Sequence, residues 1–158
     1  IGRIVQIYDG TRAWSSDPFS GTRELTGVEA ALIRRQAQFN SDVKWRDLWK
    51  SAELVDAPAP AGGRAVYAVK LTPKDGEGHP VTNFYDAETF LLVRTDTVIE
   101  TSQATTPSVT RLGDYRTVGG VKIPFQTEQE LSNVLLRITF TDVAFDVKVD
   151  EAKFARPQ

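Results

Sequence analysis

The sequence predicts an α+β protein in which a strongly curved antiparallel sheet wraps over a helix. Three observations carry that expectation. From Arg64 onward apolar residues recur with period two, the spacing that puts them on one face of a strand. The turns between these stretches are short, which favours antiparallel hairpins over parallel β-α-β units. Only the segment from Thr26 to about Phe39 carries a clear helical pattern, with apolar residues on two sides.

Val5 and Ile7 alternate with Gln6 and Tyr8, and Asp9-Gly10 reads as a turn. Arg12 to Ser15 predicts a short second strand, followed by the loop Asp17-Pro18-Phe19-Ser20-Gly21. Thr26 and Glu29 have the spacing of a capping box, in which the Thr26 hydroxyl and the Glu29 carboxylate each take the other's amide. Val28, Ala31, Leu32 and Phe39 then form one helical stripe, with Ala30, Ile33 and Ala37 opposite. Trp45, Leu48 and Trp49 share a face if a second short helix runs from Trp45 to Leu54. Ala57 to Gly63 is a loop by its proline and glycine content.

Beyond that loop, Tyr67, Val69 and Leu71 point one way and Ala68, Lys70 and Thr72 the other. Pro73 to Gly78 turns the chain. Strands are predicted over Val81–Tyr85, Leu91–Arg94, Thr97–Thr101, Ser108–Arg116, Val121–Glu128 and Asn133–Phe140. Gly119-Gly120 supplies the positive φ values of a two-residue hairpin. Val143, Phe145 and Val147 fall on the opposite parity from Val134, Leu136 and Ile138, so a bulge or break is expected near Asp142. Asp150 to Phe154 is at most one terminal turn.

The 158 residues, 41% hydrophobic, suffice for one domain spanning 1–158. Nineteen basic against twenty-one acidic residues leave a net charge of -2, with no basic footprint for nucleic acid. Cysteine is absent, so neither disulfides nor thiolate chemistry are available. Ile1 to Tyr8 reads as a strand already under way. The expectation is a chain truncated at its N-terminus, with a signal peptide upstream.

Chemistry is sparse. His79, the only histidine, sits in a turn between Gly78 and Pro80 and reads as solvent-facing. Asp75-Gly76-Glu77 is too short for a calcium loop, and no zinc pattern occurs. Gly62-Gly63 and Gly119-Gly120 lack the lysine of a phosphate loop. No catalytic residue, metal site or cofactor is assigned. The aromatics Trp14, Phe19, Phe39, Trp45 and Trp49 gather in the first third, as core or as cavity lining, and Phe19 is the candidate flap residue.

The order of motifs resembles a known family. Tyr8-Asp9-Gly10, Ala13-Trp14, Asp17-Pro18-Phe19 with Gly21, and Leu25-Thr26 opening a helix are similar to the outer-membrane lipoprotein-sorting proteins, relatives of the periplasmic lipoprotein carrier LolA. So are Tyr67 to Thr72 with Phe84 to Leu91, Asp114-Tyr115-Arg116 with Gly119 to Phe125, and the ending from Val149 to Pro157. The resemblance implies an incomplete, unclosed β-barrel over a helical lid, a periplasmic or secreted location, and carriage of a lipid or an acylated protein. On that basis the candidate ligand-binding residues are Trp14, Phe19, Leu32, Phe39, Tyr67, Val69, Tyr85 and Leu91. Family members carry a helix and strands ahead of the Tyr8 motif, so the missing N-terminal segment or another envelope protein is a further expected partner. A solid-core scaffolding domain and a hydrolase are the competing readings.

Overall fold

Two aspartates set the first hairpins. The Asp9 carboxylate accepts the amides of Thr11 and Arg12 at 2.8 and 2.7 Å, and the Asp17 carboxylate accepts those of Phe19 and Ser20, both at 2.8 Å. Each closes its own turn, as short acidic side chains do. The computed structural model describes residues 3–38, 41, 43–57, 64–101 and 104–157. Around these turns β1 (Val5–Tyr8), β2 (Ala13–Asp17) and β3 (Gly21–Leu25) form a three-stranded antiparallel sheet. The third strand was not legible in the sequence, because its exposed Arg23 and Glu24 mask the alternation.

Helix α1 (Gly27–Gln36) follows, with Thr26 at its N-cap position as expected. The capping box itself is not made. The Thr26 hydroxyl accepts no amide, and Glu29 instead binds Arg23 through two bonds of 2.7 Å. A bidentate charge-assisted pair outweighs one neutral amide bond. The predicted second helix is cut to one turn, α2 (Trp45–Leu48). The rest of that segment is β4 (Trp49–Val55), because Ala52 to Val55 find ladder partners in Leu71 to Ala68.

β5 (Val66–Pro73), β6 (Val81–Asp86), β7 (Leu92–Glu100), β8 (Thr105–Val118), β9 (Val121–Leu131) and β10 (Val134–Thr139) complete a seven-stranded antiparallel meander in strict sequence order. β7 merges two predicted strands. The β8–β9 hairpin turns on Gly119 and Gly120 at φ 54° and 83°, as their positions imply. A short 3-10 turn, Glu151–Phe154, is capped by Asp150, whose carboxylate accepts the Ala152 amide at 3.0 Å.

The α+β class and the antiparallel pairing hold, but the strongly curved sheet and the unclosed barrel over a helical lid do not. The strands make two separate open sheets, neither curling toward closure. The large sheet ends at β4 on one side and β10 on the other. The parity change near Asp142 is a strand end, not a bulge that carries pairing onward. Val143, Phe145 and Val147 lie outside any strand, so among the described residues nothing extends the sheet past β10. Nor is α1 a free lid: it packs on β1 and β2, where Ile33 joins Ala13 and Leu25 in a buried cluster beside Tyr8 and Ala30.

The two faces of the large sheet differ. One carries Arg94, Arg111, Glu128 and Arg137 in cross-strand register, with ion pairs Arg94–Asp96 at 2.6 Å, Arg111–Glu130 at 3.2 Å and Arg137–Glu128 at 2.7 Å. Toward β5 and β6 the same face carries Ala68 and Phe84, both buried, with Arg94 over the Phe84 ring. The other carries Leu71, Val81, Asn83 and Thr95 and turns toward α1, as a one-sided antiparallel sheet should.

Candidate functional site

The two-sided helix foreseen in the sequence has a structural counterpart. Ile33 and Ala30 face the small sheet, while Val28, Leu32, Arg35 and Gln36 face the large one. The spacing i, i+4, i+7, i+8 puts the second set on a single stripe. Between that stripe and the sheet lies a cleft of about 320 Å³. Its walls are apolar: Val28 and Leu32 from α1, Leu48 from α2, Leu71 from β5, Val81 from β6 and Ile99 from β7.

The floor is a polar row running across the sheet. Asn83 pairs with Thr95, Thr95 with Thr110, and Thr110 with Gln129 in register across β6 to β9. Part of this row is bonded within the protein. The Thr95 hydroxyl donates to the Asn83 carbonyl oxygen at 2.9 Å, and the Asn83 amide donates to the Tyr85 hydroxyl at 3.2 Å. The Gln129 amide donates to Ser108 at 3.1 Å, and Ser108 is among the most buried residues of the chain. The bonded groups make few demands on a guest, whereas the Thr97 and Thr110 hydroxyls and the Gln129 carbonyl oxygen carry no side-chain hydrogen bond among the described residues.

The rim is charged. The largely buried Arg35 guanidinium bonds Asp75 at 3.0 Å and lies 5.8 Å from the Trp49 ring centre. Arg34 reaches the same carboxylate at 2.6 Å. Desolvation pushes the Asp75 carboxyl up, but the Glu77 amide and the two guanidiniums outweigh it and hold it below its ordinary value. Gly78 makes the approach possible, since a Cβ there would stand 2.9 Å from the Arg35 Nη2, and its φ of +80° suits glycine. Both arginines lie in the last turn of α1, where cations also complement the helix dipole. The clamp therefore pins the helix end to the β5–β6 turn.

His79 does not simply face solvent. It lines the cleft, with its Nε2 3.0 Å from the Glu100 carboxylate and its side chain 39% exposed. A histidine and a carboxylate are two parts of a proton relay. Among the described residues no hydroxyl side chain hydrogen-bonds His79, and no cluster of three His, Cys, Asp or Glu is placed to hold a metal.

Of the candidate ligand-binding residues, Leu32 lines the cleft. Phe39 lies outside the described residues. Trp14 belongs elsewhere: it is buried in β2 with the Arg156 guanidinium 5.0 Å above its ring. Phe19 caps the β2–β3 turn and is 96% exposed, so it closes over nothing. Tyr67 and Tyr85 are cross-strand partners beyond the cleft, Tyr67 stacking parallel on Phe90 with ring centres 6.2 Å apart. Val69 neighbours Asn83 in register without lining the cleft, and Leu91 sits in the β6–β7 turn, where its carbonyl accepts the Asp86 amide at 2.9 Å. Sequence reasoning missed Val28 and Leu71 as lining residues, although Val28 shares the Leu32 stripe and Leu71 the Tyr67 and Val69 parity. The Arg35 rim and the Ile99 wall had no local signal.

What fold and cleft define is an α+β protein of two open antiparallel sheets, with a helix-walled cleft on the less charged face of the larger one. Compared with protein-family models, with curated proteins and with solved structures, the chain matches none.

Proposed function

We propose that this chain binds, without catalysis, the hydrocarbon part of a single-chain amphiphile in the cleft between α1 and the large sheet. The lipid or acyl group and the bacterial envelope location come from the motif resemblance described above. The observation that supports the reading is the set of apolar walls over a floor whose Asn83, Thr95 and Gln129 donors are bonded within the protein. Volume narrows the guest. About 320 Å³ lies at the lower end of ligand pockets, roughly 300–1,000 Å³, so one chain fits and a multiply acylated anchor does not.

Each methylene buried contributes about 0.8 kcal/mol, which is roughly fourfold in affinity. In a series of saturated fatty acids titrated by calorimetry, affinity rises by about that factor per carbon until the cleft is full, then stops rising. Leu71→Trp fills the cleft and removes binding while the far-ultraviolet spectrum stays native. Flat affinity across the series, or undiminished binding by the Trp variant, rejects the proposal.

A further inference from the structure

We infer that β10 pairs with β10 of a second copy, joining two large sheets edge to edge about a two-fold axis. The two end strands of the sheet are unlike. β4 is blunted by Lys50 and Glu53 and by a register shift between Trp49 and Ser51, devices that discourage edge pairing. β10 runs without a register shift and carries a single charge. All its residues are exposed, and Val134, Leu135, Leu136 and Ile138 are 63%, 58%, 46% and 41% exposed. Val134, Leu136 and Ile138 share one face of the strand, and Leu135 stands on the other with Arg137. The only charge on the strand, Arg137, already holds Glu128 at 2.7 Å.

The backbone and the charge fix the register. Phe140 donates its amide to Phe125 at 2.9 Å, so even-numbered residues of β10 turn their backbone groups to β9, and Leu135, Arg137 and Thr139 turn theirs outward. A two-fold axis normal to the sheet keeps each face on its own side, so paired residues share parity. Centring the axis on Arg137 sets two guanidiniums opposite each other, a like-charge pair that costs stability. Centring it on Leu136 avoids this. Leu135 then exchanges hydrogen bonds with the partner's Arg137, and Val134 meets the partner's Ile138. Val134, Leu136 and Ile138 of the two copies close into one cluster on a single face. An isologous contact of this kind ends at two copies, whereas β10 on the blunted β4 would build an open chain. A single strand pair is a contact at the small end of specific interfaces, so the dimer forms and dissociates with concentration.

The test uses the full chain, which has no cysteine of its own. Sedimentation between about 1 and 500 μM brackets the micromolar range and shows a reversible monomer–dimer equilibrium. Leu136→Lys, which sets two ammoniums across the axis, leaves a folded monomer. Leu136→Cys reports the register directly, because a non-hydrogen-bonded antiparallel pair holds its Cα atoms about 4.5 Å apart, within disulfide reach. Mild oxidation converts that variant to a covalent dimer and leaves Thr139→Cys monomeric. A chain that stays monomeric throughout, dimers that survive Leu136→Lys, or equal cross-linking of both cysteine variants overturns the proposal.

Discussion

At the scale of single residues, aspartates that hold turns set the acid limit of this protein. Arg12 and Thr11 amides lower the Asp9 carboxyl, and Ser20 and Phe19 amides lower that of Asp17. The backbone and hydroxyl of Thr89 lower that of Asp86 at the β6–β7 turn, and within strand β8 Arg116 lowers that of Asp114. All hold their protons less readily folded than unfolded, where the ordinary value is 3.8. Unfolding therefore takes up protons in acid. The stability these groups provide is complete above about pH 4 and is lost as pH falls through their lowered folded values. Thermal unfolding followed from pH 6 to pH 2.5 checks this, and a flat profile contradicts it. Trp14 gives a second test. Its indole nitrogen is buried without a hydrogen bond of good geometry, and Asp9 is the acceptor its N–H is drawn to. Trp14→Ala costs about 3–5 kcal/mol through lost burial and the cavity left behind. Trp14→Phe keeps most of the ring and removes the unpaired donor, so its cost in urea denaturation is less than half as large.

At the scale of elements, turns and strand parity were legible and strand limits less so. Asp9-Gly10, Asp17 to Gly21, Pro73 to Gly78 and Gly119-Gly120 all turn the chain where the sequence places turns, because each depends on a few neighbouring residues. The Trp45 to Leu54 segment went the other way. Its helical spacing was local, whereas its strand partner, β5, begins only at Val66; the loop predicted from Ala57 to Gly63 lies almost wholly outside the described residues. Likewise Glu29 was read as a capping partner and found Arg23 on β3 instead. The clamp between α1 and the β5–β6 turn yields a prediction of its own. Gly78→Ala puts a side chain at φ +80° and crowds Arg35, costing about 1–2 kcal/mol. Chemical denaturation shows the midpoint falling with an unchanged slope.

At the scale of the whole molecule, α1 belongs to both sheets, so packing on one side bears on the cleft at the other. Ile33→Ala, on the small-sheet side, costs about 2–4 kcal/mol and also weakens ligand binding, although Ile33 does not line the cleft. Calorimetry separates the effects: the same ligand binds more weakly to Ile33→Ala even where the variant is fully folded. Ligand at a hundred times its dissociation constant stabilises the folded state by about 2.7 kcal/mol, read as a rise in unfolding temperature.

The sequence by itself determined the α+β class, the antiparallel pairing, the place of the helix and most of the turns. Those features depend on period, parity and hydrogen bonds made within a few residues. Only the tertiary structure decided that the strands split into two open sheets, that Trp14 and Phe19 stand away from the cleft, and that His79 meets Glu100. The cleft itself draws lining from Val28 to Gln129. Residues so far apart along the chain become neighbours only when strand order and helix placement are set together, and no local pattern encodes that meeting.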